Sequence, residues 1–253
     1  MLLGIYNYTT ILSYLNLFVG FLGIGLASSN NYNLATICLL ISGICDMFDG
    51  LVSRSKKNRT VFEKRYGIQI DSLADIISFG CLPIFINYAL IKNHDNLPDN
   101  HQERLLSIKS PELYILFWFI GSFYMLATLI RLSYFNTISE ENLHKKIPNN
   151  NPKIFIGIPV TFSAIVFPCV ILIYSIISKI SEKYNLKNQI NLNYIIINIY
   201  FILLMFLTFL FVFPKIKIKK PKKKCINILS FFSCLMIILL ILFKSFEAIK
   251  LNR

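Results

Sequence analysis

Long apolar stretches separated by short polar ones set the rhythm of this chain. Seven stretches, at about residues 8–28, 33–53, 67–91, 112–135, 154–178, 191–213 and 225–246, are dominated by Leu, Ile, Phe and Val. A bilayer core of about 30 Å takes about 20 residues of helix, so each stretch matches one crossing. The connections between them hold nearly all the charge. The first stretch is too long, and too poor in nearby Lys or Arg, to be a cleavable signal peptide. No internal repeat and no room for a separate soluble domain are visible. The pattern predicts an all-α, multi-pass integral membrane protein. Its parts are a six-helix core (1–213), a basic loop (214–224) and a seventh transmembrane helix within 225–253.

Composition strengthens this reading. Of 253 residues, 55% are hydrophobic and 15% are charged, against roughly 25% charged in soluble proteins. That apolar content excludes a disordered chain, and six cysteines over such a length exclude a disulfide-stapled scaffold. Cys38, Cys45, Cys81, Cys169, Cys225 and Cys234 lie in or at the ends of the apolar stretches and read as small hydrophobes. His94, His101 and His144 stand in connections without i,i+4 spacing, which argues against a zinc site.

The net charge of +13 matters through its placement. Segment 54–66 carries six basic residues, 131–153 four, and 214–224 seven lysines. Cytoplasmic loops are the ones enriched in Lys and Arg. The N-terminus and these three loops are therefore expected in the cytoplasm, and the C-terminus outside. The run KIKIKKPKKK reads as a topology signal that also attracts anionic lipid headgroups, and no nucleic-acid partner is expected.

Four of the 13 acidic residues break the pattern. Asp46 and Asp49 fall near the end of the second stretch, Asp71 and Asp75 near the start of the third. Spacings of i,i+3 and i,i+4 put each pair on one helix face. Two antiparallel helices would place all four within roughly 12 Å of the connecting loop. A carboxylate inside a bilayer costs at least about 2.5 kcal/mol, so it marks function by default. Four cannot all stay ionised together without cations, and oxygen-only ligands suit Mg²⁺ or Mn²⁺. Two such ions sharing carboxylates make a clamp for phosphoryl chemistry. Carboxylates neutralised by Lys or Arg, or the cation pathway of a transporter, would also explain the four. Gly50, Ser53 and Gly67 add small residues where a ligand can approach the backbone, and Arg54 adds a fork for phosphate. A transporter has no evident need for that set.

The segment CDMFDGLVSR…YGIQIDSLADIISFG resembles the signature of the CDP-alcohol phosphatidyltransferase family, D-x2-D-G-x2-A-R followed by G-x3-D-x3-D. Asp46, Asp49, Gly50, Arg54, Gly67, Asp71 and Asp75 fall on it. Ser53 stands where the family has Ala. The 12-residue spacer, 55–66, is longer than usual and is expected to bulge as a cytoplasmic loop. DSLADIISFG, IRLSYFNT, FIGIPV and the early SYLNLFVG are similar to bacterial and archaeal integral-membrane phosphatidylserine synthases. Tyr134 departs from a position that is usually basic there, which leaves Arg131 and Asn136 as candidates for phosphate or serine contact.

The resemblance implies transfer of a phosphatidyl group from CDP-diacylglycerol to the hydroxyl of L-serine, with release of CMP. It implies Asp46, Asp49, Asp71 and Asp75 as ligands of two divalent cations, with Asp75 also the catalytic base. Gly50, Ser53, Arg54 and Gly67 would line the CDP-diacylglycerol site. Ser13 and Asn16 are open to nucleotide contact or to helix–helix hydrogen bonding. A homodimer within the membrane lipids is implied as well. Glycerol 3-phosphate or an inositol phosphate is the alternative acceptor.

Overall fold

In a computed structural model of the chain, residues 4–56, 58–95, 111–144, 154–183, 189–215, 217–219 and 223–251 are described. The apolar stretches are helices: α1 (Tyr8–Ser28), α2 (Tyr32–Ser55), α3 (Val61–Asp75), α4 (Leu82–Asp95), α5 (Pro111–His144), α6 (Ser163–Lys183), α7 (Gln189–Val212) and α8 (Lys223–Leu251). One π-helical turn, Ile76–Cys81, joins α3 to α4, so the two form a single rod. Among the described residues, six segments are long and apolar enough to cross a bilayer, with a shorter apolar run at Ile228–Leu242 in α8. The seventh stretch is thus a helix, packed on α2 and α6, with Met236 and Leu240 buried. Two three-residue strands, β1 (Ile154–Ile156) and β2 (Lys217–Lys219), pair antiparallel and tie the start of the fifth stretch to the basic connection 214–224.

Helix α1 is polar or small on its buried face and apolar on its exposed one. On α1 the buried positions are Thr9, Thr10, Ser13, Asn16, Gly20, Gly23 and Ala27, while Phe18 and Phe21 are 66% and 70% exposed. The buried seam repeats every three or four residues and admits close helix contact. In water such exposed rings would form an adhesive patch; against lipid they are at home. Gly20 sets the closest approach: a Cβ there would stand 2.2 Å from Ser78 Oγ on the π turn. Gly43 does the same between α2 and α6, where a Cβ would stand 2.7 Å from that of Ala164.

Three boundaries differ from the sequence expectation. The spacer 55–66 does not bulge as one loop, because α2 runs to Ser55 and α3 already begins at Val61. Thr60 caps α3 through a reciprocal capping box with Glu63: the Thr60 hydroxyl accepts from Glu63 N and the Glu63 carboxylate from Thr60 N. That pair satisfies two N-terminal donors and overrides the charge density that suggested a loop. The fourth span continues to His144, absorbing the first part of the supposed loop 131–153. The fifth span starts late: 154–156 is strand, and Gly157 turns at φ +80° before Pro159 and a short 3₁₀ turn lead into α6. At 1.5 Å per residue, α5 is about 51 Å long, well beyond a bilayer core of about 30 Å. Its last turns run alongside α3, where Gln69 Nε2 donates to Glu140 Oε1 at 3.3 Å.

Candidate active site

Helices α2 and α3 run antiparallel from the short connection 56–60 and bring their carboxylates together one turn or more below it. Ligand oxygens of Asp46, Asp49 and Asp71 all lie within 4.8 Å of one another. Asp46 also faces Asp75, so the fourth carboxylate belongs to the same cluster. Asp49 and Asp75 are buried, at 6% and 5% exposure. Asp71 Oδ1 is buried without a hydrogen-bond partner.

Those features fit a divalent cation. Carboxylate oxygens at this spacing are the donor set that Mg²⁺ or Mn²⁺ prefers, and a buried, unpartnered carboxylate oxygen is costly unless a cation or donor meets it. The Lys56–Glu63 ion pair, at 3.1 Å on the neighbouring connection, does not include any of the four carboxylates.

Helix α1 supplies what surrounds the cluster. Ser13 Oγ donates to Asp49 Oδ2 at 3.2 Å, and Asn16 Nδ2 donates to Asp75 Oδ1 at 3.0 Å. The i,i+3 spacing that left these two residues open between ligand and helix contact thus delivers one donor to each of two carboxylates. The Asn16 carbonyl in turn accepts from Ser42 Oγ on α2 (3.3 Å) and Ser78 Oγ on the π turn (3.1 Å). On the far side of that turn, Tyr124 of α5 donates its hydroxyl to Phe79 O at 2.9 Å, meeting a carbonyl in this widened turn. Asn16 Oδ1 remains buried and unpartnered beside Asp75.

The remaining candidates are distributed more widely. Gly50 and Ser53 follow Asp49 on α2, and Ser53 Oγ bonds back to Gly50 O at 3.3 Å. Arg54 stands on the last turn of α2, but its side chain is outside the described residues, as are those of Cys225, His94, His101 and His144. The five other cysteines are free thiols. Gly67 faces Arg59, whose guanidinium would stand 2.7 Å from a Cβ at that position. Arg59 was not singled out by the motif, since nothing in the local spacing connects it to Gly67. Arg131 is buried and donates from Nε to Ile158 O at 3.1 Å. A Cβ at Gly157 would stand 2.9 Å from its Cζ, so the left-handed glycine makes room for it. Arg131 thus braces the turn into α6. Asn136 accepts from Ser72 Oγ at 2.8 Å and ties α5 to the residue next to Asp71.

Among curated proteins, the chain is 28% identical to the archaetidylserine synthase of Methanothermobacter thermautotrophicus over 155 residues, 61% of this chain and 53% of that protein. It is 27% and 28% identical to the CDP-diacylglycerol–serine O-phosphatidyltransferases of two Helicobacter pylori strains over 169 residues, 66% of this chain and 59% of theirs. The matched region therefore spans little more than half the length of these relatives. A family model covers residues 6–209, from α1 into the last turn of α7 with the whole carboxylate cluster, and the chain belongs to the CDP-alcohol phosphatidyltransferase family.

Proposed function

We propose that the protein transfers the phosphatidyl group of CDP-diacylglycerol to the hydroxyl of L-serine, forming phosphatidylserine and CMP. The observation that carries this reading is the cluster of Asp46, Asp49, Asp71 and Asp75 at one end of a membrane bundle. Serine as the acceptor rests on the names of the three relatives, each of which contains it.

Asp46, Asp49 and Asp71 would hold the divalent ions, with Asp75 sharing the second. When bound, such ions neutralise the diphosphate and stabilise the CMP oxygen as it leaves. The serine oxygen attacks the phosphorus that carries the diacylglycerol, and its proton passes to a carboxylate oxygen of Asp75. The bond from that phosphorus to the bridging oxygen breaks, and the electron pair leaves with CMP. Asn16 holds Asp75 Oδ1, which leaves Oδ2 as the oxygen to receive the proton. Gly50, Ser53, Gly67 and Arg54 would line the nucleotide, and Arg131 and Asn136 border the route of the acceptor. The three basic connections would face the cytoplasm, where serine is drawn. A homodimer is part of the proposal, to be checked by light scattering of the purified complex.

The test uses the full chain in nanodiscs with CDP-diacylglycerol, Mn²⁺ or Mg²⁺, and either L-serine or glycerol 3-phosphate. CMP release with serine is the expected result. Release with glycerol 3-phosphate alone would move the acceptor within the family. Ion flux in liposomes without CMP formation would point to a transporter.

A further inference from the structure

The connection between α2 and α3 brings a cation to the site that the motif does not contain. Arg59 is half-buried, and its guanidinium lies over Gly67 while reaching back to α2. Its bonds are to neutral carbonyls, Nη1 to Ser53 O at 3.3 Å and Nη2 to Glu63 O at 3.2 Å. Both are at or beyond the long end for N–H···O. Its Nε is buried without a partner. Among the described residues no carboxylate pairs with it, the nearby Glu63 being engaged by Lys56, Asn7 and its own cap. A guanidinium has five donors in a fixed fork, and one held at long range by carbonyls is under-used.

Its position makes that significant. Ser53 lies four residues beyond Asp49 and Gly67 four residues before Asp71, so each is about 6 Å along its helix from the carboxylate cluster. Arg59 bridges both at that level, over the small residues that flank the cluster. An anion reaching from the cluster along Ser53 and Gly67 toward the connection comes to this guanidinium.

We infer that Arg59 is a binding residue for the diphosphate of a nucleoside diphosphate ligand, exchanging its carbonyl partners for phosphate oxygens when the ligand enters. The long spacer is what supplies it. This rests on the reading above that the cluster serves a CDP-linked substrate.

Binding of CDP and of CMP to the full chain in nanodiscs with Mn²⁺, followed by calorimetry, tests the inference without any acceptor. Arg59→Gln keeps an amide donor for the same carbonyls but removes the charge, and Arg59→Lys keeps the charge but removes the fork. Loss of a charge-assisted bond is expected to weaken CDP binding roughly 10- to 100-fold in Arg59→Gln. CMP should be affected less, Arg59→Lys should fall between, and the unfolding midpoints should match the parent. CDP affinity within twofold of the parent in Arg59→Gln would overturn the inference. So would weakened binding accompanied by lowered midpoints in both variants, which would make Arg59 a staple of the connection. A parent protein that binds no CDP would bring down the substrate reading with it, whereas one that binds CDP but ignores serine would remove only the acceptor.

Discussion

The two halves of the bundle solve the same burial problem with opposite chemistry. Around the carboxylates, α1, α2, α3 and the π turn bury Ser13, Asn16, Ser42, Asp49, Asp75 and Ser78, with a close approach at Gly20. Between α5, α6 and α7 the interior is aromatic. Phe167 and Tyr200 stack at 4.4 Å, and Tyr124 meets Phe211 at 5.7 Å and Phe167 at 6.3 Å. Large rings fill space and fix geometry through their shape. Small polar residues leave space and fix geometry through directed hydrogen bonds. The first half leaves polar groups free to orient a ligand; the second is filled by its own rings. Tyr124 joins them, with its ring in the aromatic layer and its hydroxyl on the π turn that follows Asp75.

If that division is correct, substitutions in the polar half should reduce turnover more than stability, and those in the aromatic half the reverse. The largest effect is expected at Asp75. Asp75→Asn preserves shape but removes the proton acceptor, so turnover should fall roughly 10²- to 10⁴-fold. CDP affinity and binding of the Mn²⁺ held by Asp46, Asp49 and Asp71 should be largely spared. Near-parental CMP release would remove Asp75 as the base.

Gly20→Ala comes next, because it attacks the close approach itself. A new Cβ 2.2 Å from Ser78 Oγ and 3.1 Å from its Cα must push α1 away from the π turn. Such overpacking costs typically about 1–3 kcal/mol. It should lower the unfolding midpoint in detergent and also displace Asn16 from Asp75, so turnover falls in the same variant. An unchanged midpoint would show that the seam is looser than the structure has it.

Asn16→Ala isolates the hydrogen bond from the packing. The bonds from Ser42 and Ser78 go to its main-chain carbonyl and survive the substitution. Only the donor to Asp75 is lost, worth about 1–2 kcal/mol between membrane helices. A tenfold fall in kcat with a KM for CDP-diacylglycerol near the parent's is expected. Equal losses with and without Asp75→Asn in the background would mean that Asn16 acts elsewhere.

How much of this was legible beforehand follows the same division. The carboxylate cluster could be read because i,i+3 and i,i+4 spacings survive folding unchanged: a helix carries its own face with it. The number of long apolar helices followed from length and hydropathy. What could not be read depends on contacts between distant segments. Ser13 and Asn16 share a face in the sequence, but their carboxylate partners lie 36 and 59 residues away. Arg59 meets Gly67 only because the connection folds back over α3. The capping box at Thr60 and Glu63 was present as T-x-x-E, yet Lys64 and Arg65 just after it made the segment look like loop. The π turn has no local signature in Ile-Ile-Ser-Phe-Gly-Cys; it is held by Asn16 and Tyr124 from other helices.

The smallest expected effect comes from a pair of unpartnered polar atoms, one in each half. Asn16 Oδ1 and the Tyr200 hydroxyl are both buried without a hydrogen-bond partner. Beside Asp75 such an atom lies where an incoming hydroxyl or ammonium can use it. In the aromatic layer, stacked on Phe167, no ligand is expected to reach it, and a buried unpaired hydroxyl costs about 1–3 kcal/mol. Tyr200→Phe keeps the ring and removes the cost, so its unfolding midpoint should equal or exceed the parent's, with CMP release unchanged. A fall in turnover with a preserved midpoint would mean that the polar site extends into the aromatic layer, and the two halves would no longer be separable.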